Sequence, residues 1–250
     1  MKELKNDQLE RKLEKIFQFL VKNRQYNHDL HEIVYISTIL PFSTTEDKII
    51  SLLYSVANTQ SQPKIDNLAN FYIKIQTDTS CLKSMKSFVE KINPGKSVNF
   101  ENLYKGMQEQ DGWGPKTAAL FTKNIYHMHN GGYLKKLRVW DDVPKEISEK
   151  DKFFLPVDIV ITEIFRKLYQ RNWDFNSINS YLGDKYKGKD IEVWDDLWFW
   201  GFVTQKGAGK NREFEWNENK YWSLKESNKD PETIKEIKEK AEEFLKILTA

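Results

Sequence analysis

Apolar residues recur every three to four positions along most of this chain. Leu9, Leu13, Ile16, Phe17 and Leu20 form one stripe, and Ile65, Leu68, Ala69 and Tyr72 a second; Ile234, Ile237, Ala241, Phe244, Leu245 and Leu248 form a third. That period belongs to amphipathic helices, whereas a half-buried strand alternates every two residues. Further helices are predicted over 28–38, 49–56 (behind the cap-like run Ser43-Thr44-Thr45-Glu46), 80–92, 100–107, 115–128, 157–169, 175–186 and 191–202. Pro63 is expected to open the helix of the second stripe. Breaks fall at Asn93-Pro94-Gly95 and Asn130-Gly131-Gly132. Residues 133–152 are polar without a period and read as an inserted loop, and 207–222 reads as irregular. With strand signals weak and no repeat visible, the expected fold class is all-α.

A length of 250 residues fits one large domain or two small lobes. The formal net charge of +2 says little about partners. Local charge says more: from Cys81 to Arg138 there are ten lysines and arginines against four acids. Such a patch suits a nucleic-acid backbone, although a solvated lysine-rich face is the commoner reason for one. Cys81 is the only cysteine. That excludes an internal disulfide and a cysteine-ligated zinc or iron–sulfur site, and Cys81 is expected to be a small buried apolar residue. The charged start of the chain has no signal-peptide core, and no apolar run is long enough to span a membrane, so a cytoplasmic location is expected.

Chemistry concentrates in Asp111-Gly112-Trp113-Gly114-Pro115-Lys116-Thr117-Ala118, inside the basic span. Glycines let backbone N–H groups come close to an anion, and Pro suits the first helical position. The helix start that follows carries free N–H groups and favours phosphate. Lys116 there is either an electrostatic anchor or a nucleophile. Downstream, Leu155-Pro156-Val157-Asp158-Ile159-Val160 offers one carboxylate among apolar residues, and Asp158 is also a natural helix N-cap.

Helix, Gly112-Trp113-Gly114, then a helix opening Pro115-Lys116-Thr117-Ala118 resembles a helix-hairpin-helix motif. With Pro156-Val157-Asp158 it resembles the two signatures of the helix-hairpin-helix DNA glycosylase superfamily. The segment Leu52 to Gln62 resembles the family helix that ends in a glutamine or asparagine near DNA. These anchors occur in family order over 45–170, about half the chain.

The resemblance implies a two-lobed glycosylase fold. One lobe would be a helical barrel over 45–152, holding the hairpin at about 99–128 and an insertion at about 130–152. The other would combine 1–44 with 153–250, and the cleft between the lobes would take DNA. It also implies roles. Lys116 would be the Schiff-base nucleophile and Asp158 the carboxylate that stabilises an oxocarbenium-like sugar. Gly112, Trp113, Gly114 and Thr117 would meet the DNA backbone, with a bridging monovalent cation at the hairpin in some relatives. Asn58 or Gln60 would fill the gap left by a flipped nucleotide.

The aromatic run Trp194 to Phe202 is expected mainly in the core, with Trp198 and Trp200 as candidates for a base pocket. His28/His31 and His127/His129 read as surface pairs rather than metal ligands. Gly207-Ala208-Gly209-Lys210-Asn211 lacks the spacing and the Ser/Thr of a phosphate loop.

Departures from the family pattern are a longer interval between Lys116 and Asp158, Val160 where the family has histidine, and no cluster cysteines. The implied activity is excision of a damaged base from double-stranded DNA, 8-oxoguanine ahead of oxidised pyrimidines. Strand nicking by a lysine Schiff base would follow, by a monomer without cofactor. Two alternatives stay open: a DNA-structure binder without turnover, and a monofunctional alkyl-base glycosylase in which Lys116 only binds backbone.

Overall fold

The computed structural model describes residues 2–209, 211–224 and 230–249, with backbone alone for 2–6. The protein is mostly helical. In chain order the helices are α1 (Lys2–Lys22), α2 (Arg24–Ile39), α3 (Thr45–Ala57), α4 (Ile65–Gln76), α5 (Met85–Ile92), α6 (Phe100–Gln108), α7 (Pro115–Asn130), α8 (Ile159–Leu168), α9 (Phe175–Lys185), α10 (Lys189–Val193), α11 (Leu197–Val203), α12 (Glu218–Ser223) and α13 (Pro231–Thr249).

Side-chain caps set many of the starts. The Thr44 hydroxyl accepts from the Asp47 N–H at 3.1 Å, and Asn99 Oδ1 accepts from the Asn102 N–H at 2.8 Å. Pro63 lies two residues ahead of α4 rather than inside it. The expected 80–92 helix is split into a 3-10 turn (Thr79–Leu82) and α5, because Ser84 is extended and starts a new cap: its Oγ takes the Ser87 N–H at 3.0 Å. The expected 191–202 helix is likewise divided, with a 3-10 turn at Trp194–Asp196. There Asp196 turns inward, accepting from Arg24 Nε at 3.0 Å and from Asn27 Nδ2 at 2.7 Å. A buried carboxylate needs such partners.

The chain divides into two compact units. One contains residues 1–33, 157–181 and 193–250; the other contains 34–156 and 182–192. The boundary therefore runs through α2 and α9, and 34–44 and 182–192 join the unit that carries the hairpin.

In the 34–156 unit, Leu52, Leu53, Val56, Phe71, Phe88, Phe100, Phe121 and Ile125 are buried. Residues 133–152 are no loose excursion. Leu137, Val139, Trp140 and Ile147 are buried, and Trp140 Nε1 donates to the Leu82 carbonyl at 2.7 Å. Both oxygens of Asp142 accept from the Met85 and Lys86 N–H groups at the start of α5, at 2.8 Å each. Such anchoring is non-local, so no periodic pattern reveals it.

In the other unit, Leu13, Ile16 and Leu20 of α1, Ile161, Ile164 and Phe165 of α8, and Phe244 of α13 form the core with Trp194 and Trp200. Part of the expected irregular stretch is a β-hairpin: β1 (Gln205–Ala208) pairs antiparallel with β2 (Asn211–Phe214). Gly207 and Gly209 adopt φ of +87° and +58°, which glycine tolerates. Lys210, part of the rejected phosphate-loop run, lies outside the described residues. Strand pattern is weak here because Lys206, Gly207 and Ala208 all face solvent. Among the described residues no helix is long and apolar enough to cross a membrane.

Candidate functional site

The turn 109–114 joins α6 to α7, and the two helices pack on each other. Gly112 has φ +80°. A Cβ there would sit 2.7 Å from Leu68 Cγ and 2.8 Å from the Leu68 backbone nitrogen, so only glycine lets the turn close on α4. Three further contacts hold the turn. Gln60 Nε2 donates to the Gly112 carbonyl at 3.2 Å. Lys74 Nζ donates to Gln110 Oε1 at 2.8 Å, and Gln110 Nε2 donates to the Gly106 carbonyl at 2.7 Å.

Trp113 points inward. Its ring lies edge-on to Phe71 at 5.3 Å and to Phe121 at 6.1 Å, and it is buried. The Trp113 ring is therefore spent on the core, and its backbone N–H donates to the Gln110 carbonyl at 3.1 Å. Thr117 is buried too: its Oγ1 accepts from the Gly114 N–H at 3.0 Å, which also removes that N–H from the anion-binding set. What the turn leaves open is the Gly112 N–H, the first-turn N–H groups of α7, and Lys116. Lys116 is half-buried and has no hydrogen-bond or ion-pair partner among the described residues. Of the two wedge candidates, Asn58 is exposed just past α3, whereas the side chain of Gln60 is engaged on the turn.

Asp158 is the N-cap of α8. Its Oδ1 accepts from the Val160 N–H at 2.8 Å and from the Ile161 N–H at 3.1 Å; its Oδ2 accepts from Trp198 Nε1 at 3.1 Å. One oxygen thus serves the helix start and the other an aromatic side chain from α11. Gly201 makes the second contact possible. A Cβ there would lie 2.5 Å from Ile164 Cδ1 and 2.8 Å from Val160 Cγ1, so α11 packs this closely on α8 with those side chains in place because residue 201 is glycine. Gln205 Nε2, donating to the Val160 carbonyl at 2.9 Å, fastens the same corner.

Trp198 is half-buried and stacks on Phe202, centroids 5.0 Å apart. Lys220 Nζ lies 5.2 Å from the Phe202 centroid. Burial, and then the Arg212 guanidinium, hold the Lys220 amine below its ordinary range, while the Asp158 carboxylate pulls the other way. The Lys220 amine thus feels both the Asp158 carboxylate and the Arg212 guanidinium. Sequence reading missed Lys220 and Arg212, because they come from α12 and β2, and no local pattern ties those elements to Asp158. Trp200, the other pocket candidate, is in the core, against Phe19 at 5.0 Å and Tyr26 at 5.6 Å, with no face left for a base.

His127 and His129 are not a surface pair. His127 is buried, with its Nε2 against the Glu192 carboxylate. His129 Nε2 accepts from the Val139 N–H at 3.2 Å. Burial, and then the Arg138 charge, push the His129 imidazole down from 6.5 to about 4. His31 lies 3.7 Å from the Asp195 carboxylate. Cys81 is buried, and that burial raises its thiol above the ordinary value.

Comparison with known proteins yields no matching family model, no similar curated protein and no similar solved structure.

Proposed function

We propose that this protein is a DNA glycosylase that excises a damaged base from double-stranded DNA, with 8-oxoguanine the first lesion to try. In this reading the Lys116 amine then nicks the abasic strand through a Schiff base. The observation that carries the reading is the turn 109–114: an unpartnered lysine in the first turn of a helix, beside open backbone N–H groups, on a rigidly pinned loop. Asp158, oriented by three N–H donors, adds a carboxylate of fixed position.

The chemistry balances as follows. The neutral amine attacks C1′ of the flipped nucleotide, and the glycosidic bond breaks towards the base, which leaves with a proton. The Asp158 carboxylate offsets the positive charge that develops on the sugar. The sugar ring then opens as the C1′–O4′ bond breaks and O4′ takes the proton lost by the amine; the resulting iminium loses a C2′ proton, and the C3′–O bond breaks with the 3′-phosphate as leaving group. A DNA-associated cytoplasmic location goes with this activity.

A second assignment of the amine has its own support, since Lys220 shares the Asp158 neighbourhood and its amine is held low. Borohydride trapping on duplexes carrying 8-oxoguanine or an abasic site separates the two. Lys116→Gln is expected to abolish the covalent adduct while Lys220→Gln retains it. The reverse result would move the nucleophile to Lys220. No adduct with the wild-type protein would remove the lyase step.

A further inference from the structure

The end of α8 and the β-hairpin enclose an open groove of about 520 Å³ that no part of the hairpin chemistry uses. Its lining carries Arg166, Lys167, Arg171 and Arg212 against Glu163 and Glu213. Glu163 is already ion-paired with Arg166, which leaves Lys167, Arg171 and Arg212 against Glu213.

Those three are held in place rather than free. The Arg171 guanidinium lies 3.4 Å from the centroid of the Trp173 ring. Lys167 Nζ is 5.7 Å from the Phe214 centroid. Arg212 donates from Nε to the Gly209 carbonyl at 2.9 Å and from a terminal nitrogen to Gln205 Oε1 at 3.2 Å. Exposed cations ordinarily lose rotamer freedom when they bind an anion; cations already stacked or tethered lose less. The Arg212 charge also acts on Lys220, whose amine feels the Asp158 carboxylate as well. Asp158 caps the start of α8, and the later residues of the same helix line the groove.

We infer that this groove is a track for the phosphodiester backbone of DNA, in which Lys167, Arg171 and Arg212 contact phosphates of the strand whose nucleotide is presented to Asp158. The inference rests on the reading that DNA is the ligand, but not on either lysine being a nucleophile. Planar guanidinium groups suit phosphate by forked hydrogen bonding, and the contacts are independent of base sequence.

The test is fluorescence anisotropy of the full chain with a short undamaged duplex over a range of salt concentrations. Each phosphate contact removed flattens the salt dependence by about one unit of log–log slope. The double variant Lys167→Glu/Arg171→Glu is expected to weaken binding at least tenfold at low salt and to flatten the slope by about two. Lys238→Glu on the exposed face of α13 is expected to change neither. Circular dichroism checks that the variants keep their helices; should the double reversal unfold, Arg171→Gln replaces it, with a flattening of about one. Unchanged affinity and slope in a folded variant would overturn the track, as would failure of the wild-type protein to bind duplex DNA. Loss of borohydride trapping with the groove effect intact would remove the lyase reading alone, so the two failures are distinguishable.

Discussion

A single methyl group at Gly112 tests how the hairpin is held. The backbone there has φ +80°, which side chains disfavour by about 1–2 kcal/mol. The added Cβ would also stand 2.7 Å from Leu68 Cγ, 2.8 Å from the Leu68 nitrogen and 2.9 Å from Leu68 Cδ2. The side-chain atoms can rotate away; the nitrogen sits in the first turn of α4 and cannot move without the helix. Overpacking of this kind costs about 1–3 kcal/mol. Loss of glycine's freedom in the unfolded chain returns about 0.4–1 kcal/mol. The expected net destabilisation for Gly112→Ala is about 2–4 kcal/mol. Gly114 provides the control two residues on. Its φ is −106° and a Cβ there meets nothing within 4 Å, so Gly114→Ala should fall within about 1 kcal/mol of wild type. Urea unfolding followed by circular dichroism at matched m-values measures both. A Gly112→Ala variant no less stable than Gly114→Ala would refute the claim that α4 is what demands glycine in this turn.

Acid should loosen the segment after α7. The His129 imidazole binds a proton near 6.5 when unfolded but only near 4 in the fold. Its contribution is complete above about pH 6.5 and is lost as pH falls towards 4. After allowance for the exposed part of the ring, the loss is about 2 kcal/mol. Urea midpoints taken down that range should fall less steeply for His129→Gln than for wild type; parallel curves would argue against it. At Asp158, alanine removes an N-cap and leaves the Trp198 N–H without its acceptor, for an expected cost of about 1–3 kcal/mol. Asparagine keeps a capping oxygen and should cost less than half as much by thermal unfolding; equal losses would mean that the cap contributes little.

Much of the architecture follows from local pattern. The stripes in 9–20 and 234–248 each became the inner face of a helix, and Thr44 caps where the sequence places it; in α4 the buried face is Leu68, Phe71, Tyr72 and Ile75, with Ile65 and Ala69 left exposed. Asp158 could be read as a cap in advance, since capping depends on a side chain and N–H groups two and three residues on. The glycine turn was equally legible, because positive φ is a backbone requirement carried by the residue itself.

Other features were beyond such reading. Trp113 and Trp200 looked like possible surface rings until packing put both in the core. The polar look of 133–152 hid Asp142 and Trp140, whose partners lie more than fifty residues earlier. Lys220 feels Asp158 and Arg212 through elements, α12 and β2, that no local pattern ties to α8. The sequence by itself determined where the helices are, what starts them and which turn needs glycine, because those choices rest on interactions within a few residues. Which side chains surround Asp158, and which rings are spent on the core, was decided by tertiary structure: burial and charge act between atoms close in space, whatever their separation along the chain.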